Sequence, residues 1–369
     1  MLAFEYIDDN VSLEALVEQY EHADLLVLDT EFVRTRTYYA KLGLIQAYDG
    51  KTLALIDPLA VTNLSVFWAL LTNPNIMKIL HSCSEDLDVF AHYAQCQPSP
   101  LFDSQLGASL SSLGHSLGYA NLVEQLLNVS LDKGESRTDW LKRPLSQAQL
   151  DYAANDVYYL YELYPQLIEK LQARDRLDWV FAESERMSEN RLIPVAPDEA
   201  YLKVKNAFQL LPKQLACLRD LAKWRLEVAL ARDMALGFVI KDHALIALAK
   251  KQPQSVSQLA KVTELTDQER RVHGKKIIEI INQISFDNVP DPIDVIALKT
   301  GYKSAFKAIK QALVSQAELK DVPIELLGSK RYIHEYLRWL WDGKKGDLPL
   351  VLTGWRADVV GDLLGEITL

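Results

Sequence analysis

The chain predicts an α/β domain built on a mixed sheet, followed by two all-α domains. Three observations carry this. Short aliphatic runs alternate with helical spacing through about residue 190, and beyond residue 201 apolar residues recur every three or four positions almost throughout. Polar, proline-containing stretches at 187–200 and 286–292 interrupt the chain. With 369 residues it exceeds what one hydrophobic core organises comfortably. The expected partition is 1–190, then 201–288 after a linker at 187–200, then 289–369.

In order, residues 4–7 read as a short strand, and 12–18 as a helix that Ser12 can cap. Residues 25–28, 42–48 and 52–56 read as an antiparallel meander, entered through a basic and aromatic turn and closed by the hairpin signal Asp49-Gly50. A helix at 65–71 and a strand-like run at 77–81 follow. The next helix is capped by Ser82 or Ser84 and carries Glu85 and Asp86 in its first turn. Residues 103–127 read as helical and 131–144 as an irregular loop. From Ser146 a long capped helix carries the apolar stripe Leu150, Ala153, Ala154, Val157 and Leu160. In the last two segments, the stretches starting at Asp242 and Ser329, and at Val272 and Val359, resemble each other as a faint internal repeat.

The composition, 49% hydrophobic and 24% charged, is that of an ordinary globular protein. Cys83, Cys96 and Cys217 form no paired or metal-binding spacing, which fits reduced thiols in the cytoplasm. Neither a signal-peptide pattern nor an apolar run of membrane-spanning length is expected, so no membrane is involved. The net charge of −10 is uneven: residues 1–200 carry 14 Lys and Arg against 30 Asp and Glu, whereas 201–285 carry 15 against 8. An acidic first part suits a metal-binding enzyme; a basic middle suits either a polyanion or a solvated helical surface.

Asp29 and Glu31 end the first strand of the meander. Positions two apart on a strand share a face, so both acids project from one side. Alone they read as solvated acids at a strand end, just as Asp86 alone reads as a helix-start acid. Asp156, however, lies inside the long helix, with Tyr152 one turn earlier on the same face. Four carboxylates meeting at a point would hold about four negative charges in a low-dielectric cleft, which requires cations. Two divalent ions roughly 4 Å apart would satisfy them and suit in-line displacement at phosphorus. Oxygen-only ligands favour Mg²⁺ or Mn²⁺ over zinc.

The motifs Asp29-Thr30-Glu31-Phe32, His81-x3-Glu85-Asp86 and Tyr152-x3-Asp156 resemble the three exonuclease motifs of the DEDD superfamily, in its tyrosine-containing subgroup. Residues 42–46 (Leu-Gly-Leu-Ile-Gln), the loop Asp139-Trp140-x2-Arg143-Pro144-Leu145 and the run Tyr152-Ala-Ala-Asn-Asp-Val157 resemble the ribonuclease D family. Residues 210–285 are similar to the HRDC domain, with 290–369 a more divergent copy. The resemblance implies an RNase H-like exonuclease core with two HRDC-like domains. It further implies release of nucleoside 5′-monophosphates from RNA 3′ ends, with tRNA precursors as substrate and no obligate protein partner.

Carried over by motif, Asp29, Glu31, Asp86 and Asp156 would be metal ligands, and Tyr152 would position or deprotonate the attacking water. Phe32 and Gln46 would touch the terminal nucleotide or else pack in the core. The Thr30 hydroxyl would contact the terminal ribose, although a regular strand turns it away from its neighbours. Arg137, Lys142 and Arg143 would engage phosphate or be solvated loop charges, and His81 reads as structural. Lys250, Lys251, Arg270, Arg271, Lys275 and Lys276 would contact the RNA backbone. The second copy, with Trp355-Arg356 in place of a lysine pair, fits packing against the exonuclease domain better than RNA binding. The alternatives to an exoribonuclease are a DNA-directed 3′→5′ exonuclease and a catalytically silent RNA-binding scaffold.

Overall fold

The computed structural model describes residues 2–132, 134–189, 191–365 and 367. The chain divides into two compact units, one of Met1–Val33, Leu42–Leu192 and Ile296–Leu369, the other of Arg34–Lys41 and Ile193–Val295. The last helical segment, read from the sequence as a domain of its own, therefore belongs to the compact unit of the sheet.

The first unit is built on a six-stranded mixed sheet. Its strands are β1 (Glu5–Ile7), β2 (Leu25–Val33), β3 (Lys41–Tyr48), β4 (Leu53–Ile56), β5 (Met77–Leu80) and β6 (Leu101–Asp103), in the order β1-β4-β3-β2-β5-β6. β1 runs parallel to β4, β4 antiparallel to β3, and β2 and β6 parallel to β5. The Asp49-Gly50 turn forms as its sequence dictates: Gly50 sits at φ +91, and Asp49 Oδ1 accepts the Lys51 and Thr52 N–H groups. β6 was not anticipated; it takes in Asp103, where the helical reading of 103–127 began, and the helix itself starts one residue later.

Seven helices complete the α/β part: α1 (Asn10–Tyr20), α2 (Ser65–Leu71), α3 (Ser84–Tyr93), α4 (Ser104–Leu110), α5 (Tyr119–Leu127), α6 (Gln147–Gln172) and α7 (Leu177–Ser188). α6 starts at a reciprocal capping box between Ser146 and Gln149. Its Ala153, Ala154, Val157 and Leu160 pack on Val27, Leu44, Leu55 and Ile79 of the sheet. Leu26, Val27 and Leu28 are all fully enclosed, as befits a central strand covered on both faces. α1 is capped by Asp9 rather than Ser12, because the Asp9 carboxylate takes both the Val11 and Ser12 N–H groups. α7 extends through Ser188, so the expected linker begins inside a helix.

The C-terminal helices α13 (Tyr302–Leu319), α14 (Ile324–Leu327), α15 (Lys330–Trp341) and α16 (Gly354–Val360), numbered after the five of the second unit, dock on α7. Trp179 and Trp355 stack with ring centroids 4.6 Å apart. The Arg356 guanidinium donates to both Glu183 oxygens, at 2.5 and 2.8 Å, and Trp355 Nε1 donates to Glu183 Oε1. Arg176 donates to the Leu110, Lys320 and Asp321 carbonyls, closing the ends of three segments.

The second unit is all-helical: α8 (Pro212–Ala231), α9 (Leu236–Val239), α10 (Asp242–Lys251), α11 (Val256–Leu259) and α12 (Asp267–Gln283), preceded by 3₁₀ turns at Pro197–Lys203 and Ala207–Gln209 where an α-helix was expected. Its core gathers Leu218, Leu221, Leu245, Leu248 and Ile277. The basic and aromatic turn after β2 is part of it: Asp233 Oδ1 accepts the Tyr38 and Tyr39 N–H groups, and Ala235 N–H donates to the Arg36 carbonyl. Among the described residues no helix is long and apolar enough to cross a membrane.

Candidate active site

β2 presents Asp29 and Glu31 on one face, and α6 crosses that face carrying Asp156. One carboxylate oxygen from each of the three lies within 4.8 Å of the others. Asp86, in the first turn of α3, is buried beside them, and its Oδ1 accepts the Thr30 hydroxyl. The start of α3 is held from two sides. Asp103 caps α4 through Leu106 N–H while its other oxygen accepts Cys83 N–H, so neither Ser82 nor Ser84 caps α3. Arg191 grips Ser84 and Asp88 on the same helix.

Burial raises the pKa of all four acids, and their mutual repulsion adds to it for Asp29, Glu31 and Asp86. Hydrogen bonds oppose it weakly, from Thr30 to Asp86 and from Tyr152 to Asp156. Among the described residues no cationic side chain contributes to any of the four shifts. An oxygen-only donor set whose charge the protein leaves uncompensated fits divalent cations. Tyr152 is raised far above its ordinary value by burial first, then by Asp156, Glu31 and Asp29, so its hydroxyl stays protonated and acts as a donor. Its ring lies against Trp140, which is fully enclosed. Gly43 makes that packing possible, since a Cβ there would sit 2.6 Å from the Trp140 carbonyl oxygen.

The raised carboxyl groups make stability of the metal-free protein pH-dependent with a definite sign. A group whose folded pKa is raised binds more protons folded than unfolded, so stability falls as pH climbs above the ordinary carboxyl range of about 4. Thermal melts in chelator should therefore drop from pH 5 to 9. Added Mn²⁺ should raise the melting temperature by an increment that grows with pH; an increment independent of pH would contradict this electrostatic account.

The other residues singled out in the sequence fare unequally. Gln46 is wholly enclosed in β3, out of reach of a nucleotide. Arg143 is committed to Asp57, donating from Nε and Nη2 at 2.6 Å each, and to the Gly43 and Trp140 carbonyls, so it is a structural clamp rather than a phosphate ligand. Thr30 is 5% exposed and spends its hydroxyl on Asp86 instead of a ribose. Phe32 is partly exposed and Arg137 exposed. His81 hydrogen-bonds Ser104 and is kept neutral by burial, a structural histidine. In the second unit Arg270 is tied to the Val262 and Leu265 carbonyls and to Asp267, while Lys251 and Lys276 pair with Glu264 and Glu279. Lys250, Arg271 and Lys275 are exposed.

A cavity of 260 Å³ opens beside Tyr152 and Asp156, walled by Gly118, Tyr119, Leu131 and Asn155. Tyr119 donates to the Asn155 carbonyl at 2.8 Å. Sequence reasoning passed over Tyr119, Asn155 and Asp103. Only Asp103 had a visible signal, an acid placed one residue before a helix start.

Comparison with known proteins agrees with this geometry. Residues 4–172 match a family model described as 3′-5′ exonuclease, residues 214–281 the HRDC domain, and residues 300–364 the C-terminal HRDC domain of ribonuclease D. A mixed sheet with an acidic cluster and this match define a 3′→5′ exonuclease followed by helical HRDC domains. Ribonuclease D of Shewanella sp. (strain ANA-3) is 64% identical over 364 residues, covering 99% of this chain and 94% of its own length. Ribonuclease D of Escherichia coli (strain K12) is 40% identical over 368 residues, covering 99% and 98%. The crystal structure of Escherichia coli RNase D, an exoribonuclease involved in structured RNA processing, matches with a TM-score of 0.94 over 99% of this chain and 98% of that one, at 40% identity. The chain belongs to the ribonuclease D family of 3′→5′ exoribonucleases.

Proposed function

We propose that this chain shortens RNA from its 3′ end one nucleoside 5′-monophosphate at a time, and that tRNA precursors with single-stranded 3′ extensions are its substrates in the cytoplasm. The observation that carries the reading is the meeting of Asp29, Glu31 and Asp156, with no compensating cation among the described residues, beside the protonated Tyr152. Membership of the ribonuclease D family supports RNA as the polymer, and three unpaired thiols suit a reducing compartment.

In this reading Asp29, Glu31, Asp86 and Asp156 hold two Mg²⁺ or Mn²⁺ ions. Ions held there would supply the charge stabilisation that an in-line displacement at phosphorus needs. Tyr152 donates its one hydroxyl hydrogen to Asp156, which leaves its oxygen to accept from the attacking water and orient it; with its proton held this firmly it is a positioner rather than the base. Attack at the last phosphodiester breaks the bond to the upstream 3′ oxygen, which leaves as a hydroxyl on the shortened RNA. Phe32, on the strand of Asp29 and Glu31, stacks on the terminal base, and the exposed Arg137 meets phosphate. We assign catalysis to 1–190, RNA-backbone contact to 201–288 through Lys250, Arg271 and Lys275, and a docking role on α7 to 289–369.

The test is digestion of matched single-stranded RNA and DNA and of a tRNA precursor with a 3′ trailer, with Mg²⁺ or Mn²⁺. Stepwise mononucleotides from RNA and trimming of the trailer are expected. Faster loss of DNA, or internal cuts, would overturn the assignment.

A further inference from the structure

We infer that Thr30 is a positioning residue: its hydroxyl fixes the carboxylate of Asp86, and through it sets the affinity of one of the two cation positions. The inference rests on the metal-dependent reading above. Asp86 stands apart from the other three acids. Asp29, Glu31 and Asp156 bring one oxygen each within 4.8 Å of one another, whereas Asp86 is engaged by the Thr30 side chain.

The backbone around Asp86 is already immobilised. Cys83 N–H is held by Asp103, and the Arg191 guanidinium ties Ser84 and Asp88, on either side of Asp86 in α3. What remains to be set is the side-chain torsion of Asp86, and among the described residues the side-chain hydroxyl bonded to it is that of Thr30. Both residues are buried, at 5% and 6% exposure, so water cannot replace this hydrogen bond without a rearrangement. With Oδ1 accepting from Thr30, the directions in which the remaining lone pairs of Asp86 face a cation are set by that bond. Thr30 is itself stiff: it is β-branched and lies in β2 between Asp29 and Glu31, so the strand that supplies two ligands also orients the third. A hydrogen-bonding partner of this kind typically tunes metal affinity by about 10- to 100-fold.

The test is calorimetric titration of the full chain with Mn²⁺ alone, without RNA. Wild type should bind two ions. Thr30→Val, equal in shape but without the hydroxyl, should weaken one of the two by tenfold or more. Thr30→Ser, which restores the hydroxyl, should recover the lost affinity. In kinetics, Thr30→Val should need more Mn²⁺ for half-maximal turnover while its KM for RNA at saturating Mn²⁺ stays unchanged. Should Thr30→Val not fold, Thr30→Ala carries the same expectation. Two wild-type Mn²⁺ affinities in the hydroxyl-free variant, or a raised KM for RNA with metal binding intact, would overturn the inference and point to ribose contact instead. Absence of Mn²⁺ binding by wild type would sink the metal-dependent reading itself.

Discussion

Asp156→Ala should abolish mononucleotide release, by on the order of a thousandfold or more, while RNA binding survives. Asp156 is the point at which α6 meets β2: it offers an oxygen to the cluster of Asp29 and Glu31 and accepts the Tyr152 hydroxyl. In the proposed mechanism, one substitution therefore removes a cation ligand and releases the group that orients the water. Because the RNA contacts proposed above lie at other residues and are made to phosphate, gel-shift affinity in chelator should change little. The shape-preserving Asp156→Asn adds a second, opposite readout. Burial raises the Asp156 pKa, so its charge costs stability in the metal-free protein at alkaline pH. The Asn variant should be inactive yet melt higher than wild type in chelator at pH 9. Near-normal turnover of either variant would remove Asp156 from the site.

Arg356→Met should cost about 1.5–3 kcal/mol of stability, because it strips the enclosed Glu183 carboxylate of its two-pronged partner and leaves only Arg186 beside it. Both side chains are 2% exposed, and the pair closes the docking of α16 on α7. Burial alone would push Glu183 up, but the hydrogen bonds and charges of Arg356 and Arg186 outweigh it and hold the carboxyl below its ordinary range. A depressed folded pKa contributes stability above the unfolded value of about 4.3, and that contribution is lost as pH falls through the folded pKa. Acid should therefore loosen this joint in wild type and have less effect on it in the variant. The stacked Trp179 and Trp355 lie beside the pair, so tryptophan fluorescence during urea unfolding reports on it directly. Replacing both partners, Glu183→Gln with Arg356→Met, should recover part of the loss, since no unpaired buried charge remains. A loss below 1 kcal/mol for Arg356→Met would show that the docking does not depend on the pair.

Much of the site could be read from local spacing. Asp29 and Glu31 share a face because strands repeat every two residues, and Tyr152 and Asp156 share one because helices repeat every 3.6. The Ser146 capping box and the Asp49-Gly50 turn follow from neighbours in sequence in the same way. Other features escaped because their partners are far apart in the chain. Arg143, readable as a phosphate contact or a solvated loop charge, is neither, because Asp57, 86 positions away, takes its guanidinium. For Gln46, which spacing alone left between nucleotide contact and core packing, the sheet decides for the core.

The order of acids, the strand and helices that carry them, and the division into an α/β and a helical part are therefore properties of the chain's own periodicity. Three things are not: which acids actually cluster, where the Thr30 hydroxyl points, and which body the last 74 residues, Ile296–Leu369, join. Periodicity places a side chain on a face, but its torsion and its partners depend on what packs against that face. At Asp86 the partner is 56 positions away, and at Glu183 it is 173.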